Sequence, residues 1–210
     1  MHDNALSLEL KKNLDFLMAR ESLAPFSLGG GTSLAIRFGH RMSVDLDWFT
    51  PVPFNSLVLH ETLRSLYPGL QLVNRTTGSL CCIADGIKLD FLLHAYPRLQ
   101  EDAVVDGRRL VSLPDIAAMK INAVTNRGSK KDFSDLLLLH KAGGISLSDS
   151  LEYFCKKYGN AGRALALRSL IWFDDAEEEP DPVFLNGWTW SEVRQSMTTL
   201  GQNLCREHGL

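Results

Sequence analysis

The sequence lacks the features that define several broad classes of protein. It has no apolar run near the roughly 20 residues needed to cross a bilayer. The stretch MHDNALSLELKKNLDF at its start is amphipathic and charged, without the apolar segment of a signal peptide. The four cysteines form no CxxC pair and no metal-finger spacing, so we expect reduced, partly buried thiols. These absences predict a cytoplasmic protein with no membrane partner.

An excess of positive charge is also missing. The net charge is −3, so the whole chain cannot coat nucleic acid as a polycation would. Hydrophobic residues make up 45% of the chain and charged residues 22%, which is ordinary for a globular protein with one large core or two small ones. A nucleic-acid partner would need a local basic surface, and the dense candidate is formed by Arg127, Lys130 and Lys131.

The first half of the chain alternates helical and strand patterns. Leucines recur at helical spacing near the start, and later segments alternate between apolar and polar residues with period two. The pattern predicts an α/β part over residues 1–110. Its predicted elements are a helix over 5–20, a short strand and glycine turn in FSLGGG, a short helix in SLAIRFG, a strand in SVDLDWF, a helix over 54–66, strands over 70–76, 79–85 and 87–94, and an irregular stretch over 96–110.

The second half is predicted to be helical over residues 111–210. Pro114 suits the first turn of a helix, Gly143 and Gly144 suit a helix end, and Ser146 or Ser148 suits a helix start. An acidic, proline-bearing segment at 174–182 is predicted to be an exposed loop. The predicted helices are DIAAMKINAVTN, KDFSDLLLLHKAG, one ending near residue 158, one over 161–173 and one over 191–207.

A D-x-D pair stands in the strand SVDLDWF. Alternation places Asp45 and Asp47 on one face, and Val44, Leu46 and Trp48 on the other. Two neighbouring carboxylates repel each other unless a cation lies between them, and Mg²⁺ prefers carboxylates together with substrate phosphates. Two such ions can act together in one site. The pair is therefore a candidate metal site, although a D-x-D by itself is common on exposed strands.

A glycine turn precedes that strand. Glycines let the backbone approach a phosphate closely, and the amides at the start of the following helix would face the same anion. Gly30, Gly31, Thr32 and Ser33 are the candidate phosphate-binding residues, the last two through their hydroxyl groups. The order of glycine turn, helix and D-x-D strand suits a nucleoside triphosphate held through its metals.

Asp90 lies in the apolar strand IKLDFLLH. A carboxylate among so many apolar residues is costly unless it is paired or bound to metal. It is a candidate third metal ligand that also accepts the proton of an attacking hydroxyl. The alternative is a surface aspartate on an edge strand.

The segment MKINAVTNRGSKKDFSDL contains further charged candidates. Lys120 lies in an apolar helix, from which its ammonium could offset triphosphate charge. Asp132 is a candidate catalytic residue, but it also lies where a helix begins and could cap it. Lys131 is a candidate nucleotide contact.

His40 and Arg41 follow a glycine ahead of the D-x-D strand. His40 is interpreted either as a structural hydrogen-bonding residue or as a phosphate contact. Arg41 is expected to pair with a carboxylate or with a phosphate of the nucleotide.

Together these residues resemble the AbiEii family of nucleotidyltransferase toxins, in the polymerase-β-like superfamily. The superfamily motif is a Gly-Gly or Gly-Ser pair followed by D-x-D, and here thirteen residues separate Gly31 from Asp45. The more specific match is GGTSLAIRFGHRMSVDLDWF, since the family shows GGT-x-L and then GHR-x-S-x-DLD. Lys120 and the run KDFSDL resemble the family's downstream motifs. An extra glycine, Gly29, precedes the pair.

The resemblance implies an α+β fold, with a polymerase-β-like core of mixed sheet flanked by helices and then a C-terminal helical bundle that completes the active-site cleft. It implies that Asp45, Asp47 and Asp90 bind two Mg²⁺ ions, while Gly30, Gly31, Thr32 and Ser33 hold phosphates. An acceptor hydroxyl would then attack the α-phosphorus of a nucleoside triphosphate, and pyrophosphate would leave. It further implies an RNA acceptor such as tRNA, and a cognate winged-helix antitoxin.

Two alternatives stay open from the sequence. One is a nucleotide-binding module that keeps the fold without catalysis, against which the intact carboxylate pair argues. The other is a nucleotidyltransferase for a small molecule, such as an antibiotic.

Overall fold

The structure is a computed structural model, and it describes residues 1–209. The chain folds into two compact units, which we call the sheet unit and the helical unit. The sheet unit comprises Met1–Arg37, Ser43–Tyr96 and Asp102–Val111, and the helical unit comprises Phe38–Met42, Pro97–Glu101 and Ser112–Leu210. Two short segments of the first half, 38–42 and 97–101, therefore belong to the helical unit, whereas the sequence suggested one division after residue 110.

The sheet unit contains a mixed seven-stranded sheet in the order β3-β4-β5-β2-β1-β7-β6. Strands β2 and β5 pair in parallel, as do β1 and β7, while the other neighbours are antiparallel. The strands are β1 (Ser27–Leu28), β2 (Asp45–Thr50), β3 (Gln71–Thr76), β4 (Ser79–Ala84), β5 (Ile87–Leu93), β6 (Ala103–Val105) and β7 (Arg108–Leu110), with helices α1 (Leu8–Met18), α2 (Gly30–Phe38) and α3 (Ser56–Leu66).

One face of this sheet is packed into a hydrophobic core. Leu10, Leu14 and Leu17 of α1 join Leu46 and Trp48 of β2 in a single buried cluster. The leucines recur at helical spacing and the β2 residues at strand spacing, so each element turns one apolar side inward. The opposite side of β2 is left for its aspartates.

The helical unit has a core of its own, built from Phe133, Leu137, Leu151 and Val193 with many other apolar residues. Serine hydroxyls cap several of its helices, including Ser112, Ser129 and Ser146. Its helices are α4 (Leu113–Asn126), α5 (Lys130–Lys141), α6 (Leu147–Tyr158), α7 (Arg163–Ser169), α8 (Asp174–Glu177) and α9 (Trp190–Glu207). The predicted α+β fold class, a mixed sheet with helices followed by a helical C-terminal part, is confirmed.

Three details of the predicted elements were wrong. Val44 is 61% exposed and precedes β2, so it does not share the buried face of Leu46 and Trp48. The stretch 96–110 contains β6 and β7. Each strand has three residues, which is too short for the alternation of apolar and polar residues to be recognised in the sequence. The acidic segment contains the short helix α8, because Ala176 is fully buried and anchors a turn there.

Candidate active site

Asp45 and Asp47 project from the same face of β2. Burial alternates along this strand, with Leu46 and Trp48 fully buried and both aspartates half-buried. Because successive side chains of a strand point to opposite faces, packing of the apolar pair fixes the direction of the carboxylates. The sequence pattern is thus realised in the structure at these four positions.

Asp90 stands on the neighbouring parallel strand, β5. In the pairing of β2 with β5, Asp47 is opposite Asp90, and Asp45 is opposite Lys88. Paired residues in adjacent strands point to the same side of a sheet. The structure therefore brings the carboxylates of Asp45, Asp47 and Asp90 to one face of two adjacent strands. We call this group the carboxylate cluster.

Two further residues that the sequence did not single out belong beside the cluster. The Lys88 ammonium lies 2.5 Å from Oδ2 of Asp90, and this carboxylate keeps the pKa of the lysine raised. Cys81 of β4 is opposite Asp90 on the other side. Burial, helped by a hydrogen bond to Asp90, raises the pKa of the Cys81 thiol to about 11, so the thiol stays protonated near neutral pH. Lys88 could have been noticed, since it shares a strand face with Asp90.

The glycine turn lies against Asp47. Gly29 donates its N–H to the carbonyl of Asp47 over 2.8 Å, and helix α2 begins at Gly30. Gly30 has a φ of +59°, and a Cβ added there would clash with Oδ2 of Asp47. The Asp47 carboxylate therefore lies at the amino-terminal end of α2, whose dipole and free amides favour negative charge. Gly30 and Gly31 are thus the first two residues of that helix.

The hydroxyls of Thr32 and Ser33 have partners inside the protein. Thr32 Oγ1 donates to the carbonyl of Asp45 over 2.6 Å and also lies 2.6 Å from Oγ of Ser43. Ser33 Oγ accepts a hydrogen bond from Arg37, and both hydroxyl residues are fully buried. In this conformation, Thr32 fastens α2 to the start of β2, whereas Ser33 bonds within α2. Phosphate binding through them stays a prediction.

The other charged candidates gather inside the helical unit. Nζ of Lys120 on α4 lies 2.9 Å from Asp132 Oδ1 and 2.6 Å from Asp135 Oδ2, both on α5. All three side chains are buried. Asp132 also accepts hydrogen bonds from Arg127 and from Ser129, the N-cap of α5. Lys120 and Asp132 are therefore brought together as a buried ion pair that joins two helices.

His40 and Arg41 belong to the same buried network. Arg41 binds Asp135 through two parallel hydrogen bonds of 2.9 Å, and His40 Nε2 lies 2.8 Å from Asp135 Oδ1. Arg41 pairs with a carboxylate, one of the two partners the sequence suggested. Asp135 was not predicted as a site residue, although it lies in the quoted run KDFSDL. Lys131, in contrast, is exposed on α5.

Burial and neighbouring charges shift the pKa values of Asp132 and Asp135 in opposite directions. Burial alone would raise the pKa of Asp135, but Arg41 and Lys120 outweigh it and hold that pKa well below its ordinary range. In the same way, Lys120 and Arg127 outweigh burial at Asp132 and lower its pKa. Both aspartates are therefore ionised at neutral pH. A buried carboxylate stays ionised only when neighbouring cations offset the cost of burying its charge.

The residues of the carboxylate cluster fit a hard divalent cation by chemistry. Carboxylate oxygens are the donors that Mg²⁺ selects, and here they lie beside a helix amino terminus where triphosphate oxygens could bind. Within residues 1–209, however, no group of three or more His, Cys, Asp or Glu side chains is arranged to hold a metal ion. Asp90 is instead engaged by Lys88. The donor set is thus suitable, and its side chains would have to rearrange to converge on one ion.

Comparisons with known proteins identify a matching family and a similar protein. The family described as "Nucleotidyl transferase AbiEii toxin, Type IV TA system" matches residues 15–71. The chain is 35% identical over 178 residues to the uncharacterized protein aq_aa25 of Aquifex aeolicus, and the match covers 83% of this chain and 86% of that protein.

Solved structures share the fold at lower identity. The JHP933 protein of Helicobacter pylori matches with a TM-score of 0.56 at 19% identity, over 96% of this chain and 94% of that one. MenT4, a nucleotidyltransferase toxin of Mycobacterium tuberculosis, matches with a TM-score of 0.55 at 15% identity, over 91% of this chain and 82% of that one.

Among the described residues, no helix is both long and apolar enough to cross a membrane.

Proposed function

Since this chain belongs to the AbiEii family of nucleotidyltransferase toxins, we propose that it transfers a nucleoside monophosphate from a nucleoside triphosphate to a hydroxyl of RNA, with tRNA as the favoured acceptor. The observation that carries the proposal is the carboxylate cluster beside the amino terminus of α2. Carboxylates beside a helix amino terminus, whose amides favour an anion, suit a triphosphate that arrives with its metal ions.

Each candidate site residue of the sheet unit has a role in this proposal. Asp45, Asp47 and Asp90 would hold Mg²⁺, which supplies positive charge that stabilises the transferring phosphoryl group. Gly30 and Gly31 present backbone amides to the phosphates, with no side chain in the way. Asp90, whose side chain is 17% exposed, is the candidate that accepts the proton of the attacking hydroxyl. Thr32 positions the helix that carries these amides through its bonds to Ser43 and Asp45, and Ser33 bonds to Arg37 of the same helix.

The helical-unit residues take two kinds of role. The Lys120 ammonium and the Arg41 guanidinium are already neutralised by buried aspartates, so we assign them, with Asp132, to positioning α4, α5 and the segment 38–42. Lys131 is exposed on α5, and we propose it as a contact for a phosphate of RNA or of the nucleotide. We also infer a cognate antitoxin with a winged-helix domain and a cytoplasmic location, on the family relationship.

The proposal is tested by incubating the protein with each radioactive nucleoside triphosphate, Mg²⁺ and total RNA. Asp45→Asn and Asp47→Asn keep the side-chain shape and remove the charge, and we expect each to lower labelling by more than about 100-fold, the scale of losing one electrostatic contact to a transition state. Asp149→Asn, at an exposed capping residue of α6, is the matched control and should label as wild type does. Labelling at the wild-type level in both variants would contradict the proposal. Mass spectrometry of the product distinguishes an RNA acceptor from a small molecule.

A further inference from the structure

Lys88 is a cation that the strand pairing places among the aspartates of the carboxylate cluster. It lies opposite Asp45 and two positions before Asp90, so its side chain shares their face of the sheet. Its ammonium contacts Asp90 at 2.5 Å. These four positions on two adjacent strands therefore form a square, in which three side chains are acidic and one is basic.

We propose that Lys88 is the resident counter-cation of the carboxylate cluster, which binds Asp90 in the metal-free protein and must release it before Asp90 can bind a divalent cation. The inference rests on the proposed function, because it takes the cluster to be the metal site. It adds a residue that sets how tightly the metal binds.

The first argument is electrostatic. Three carboxylates on one face repel each other, and a positive charge among them lowers that repulsion. Lys88 supplies this charge from within the chain. A divalent cation would then meet a cluster already partly neutralised, and it would also be repelled by the ammonium itself. Removing the lysine charge should thus raise the affinity for metal.

The second argument is the engagement of Asp90. Lys88 contacts one of its oxygens, and Cys81 stands on the other side as a hydrogen-bonding neighbour. Correspondingly, residues 1–209 contain no trio of acidic, histidine or cysteine side chains arranged around one metal position. Opening the ion pair between Lys88 and Asp90 frees an oxygen of Asp90 for a metal ion.

The third argument is mobility. The Lys88 side chain is 53% exposed, whereas that of Asp90 is 17% exposed. A solvated ammonium on a flexible four-carbon stem can swing into water, while the carboxylate is held by its strand. The contact can therefore open by movement of the lysine alone. Since exposed ion pairs are weak, a metal ion of higher charge can displace the lysine.

The experiment measures binding of Mn²⁺ alone to the full chain, from the loss of the free-ion signal in electron paramagnetic resonance. Lys88→Met removes the charge and keeps the length, and we expect it to bind Mn²⁺ about tenfold more tightly than wild type, the scale of one charge at close range in a partly solvated site. Lys88→Arg keeps the charge and should stay within about twofold of wild type. Equal or weaker binding by Lys88→Met overturns the assignment.

Two controls separate the causes. Lys12→Met removes an equally charged, exposed lysine from α1 of the same unit, and its affinity should match wild type. If it instead gains as much as Lys88→Met, net charge explains the effect and the assignment fails. Asp47→Asn should abolish Mn²⁺ binding. If it binds as wild type does, the cluster is not the metal site and the proposed function fails with it; if it abolishes binding while Lys88→Met resembles wild type, the Lys88 inference alone fails.

Discussion

Among individual residues, Gly30 carries the tightest constraint beside the carboxylate cluster. Its φ of +59° is a conformation that L side chains rarely adopt, and Asp47 Oδ2 already occupies the space of an added Cβ. The glycine is therefore required twice, once for backbone conformation and once for the close approach of a carboxylate. This explains physically why a glycine must begin α2.

We expect Gly30→Ala to lower the free energy of unfolding by about 1–3 kcal/mol and to displace the Asp47 carboxylate, weakening Mn²⁺ binding. Gly86→Ala is the matched control, because Gly86 also has a positive φ, +77°, but no described atom lies within 4 Å of its added Cβ. It should cost about 1 kcal/mol through backbone strain and leave Mn²⁺ binding unchanged. Urea denaturation and Mn²⁺ titration of both variants check this. Equal effects on metal binding would contradict the account.

Among the secondary-structure elements, the strands of the sheet differ in how much they stabilise it. All six residues of β3 are exposed, whereas alternate residues of β4, including Leu80, are buried. β3 is an edge strand, held on one side by β4. Its apolar residues therefore contribute little burial, although they lie in the same sheet.

A pair of leucine substitutions measures this difference. Leu80→Ala should lower the free energy of unfolding by about 2–5 kcal/mol, since it empties part of a packed core. Leu72→Ala on β3, where the leucine is 47% exposed, should cost less than about 1 kcal/mol. Chemical denaturation of the two variants gives the comparison. A loss at Leu72 as large as at Leu80 would mean that β3 is covered in solution.

The free energy of unfolding of the whole protein should depend on pH through the buried aspartates. Cations outweigh burial and keep the pKa values of Asp132 and Asp135 below 3.8, the ordinary value of an aspartate. A lowered folded-state pKa adds stability that is fully present above the unfolded value and is lost as pH falls through the folded one. The free energy of unfolding should therefore be nearly constant from pH 7 to about 5 and decline below about pH 4.

Asp135→Asn tests this origin of the acid sensitivity. It leaves Arg41 and Lys120 short of a partner and should cost about 3–5 kcal/mol at pH 7. The variant should also lose less stability than wild type between about pH 5 and pH 3, because the titrating group is gone. Asp175→Asn, at an exposed aspartate, should keep the wild-type slope. Urea denaturation across this pH range checks both, and an unchanged slope in Asp135→Asn would contradict the assignment.

Local patterns in the amino-acid sequence were enough to predict several parts of this protein. Period-two alternation placed Asp45 and Asp47 opposite Leu46 and Trp48, since neighbouring strand residues must face opposite ways. Pro114 marked the first turn of α4, and Ser146 was one of two serines proposed to begin α6. The motif GGT-x-L with GHR-x-S-x-DLD identified the family, because it combines several constraints at once.

Contacts between residues far apart in the sequence could be learned only from the folded structure. The parallel pairing of β2 with β5 sets Lys88 among the aspartates, and no local pattern specifies the register of two strands separated by a helix and a hairpin. Packing likewise gave Lys120, Arg41 and His40 a common partner in Asp135, which the spacing of charges along the chain could not reveal. Side-chain chemistry is local, but the partner that neutralises each charge depends on contacts between elements far apart in sequence.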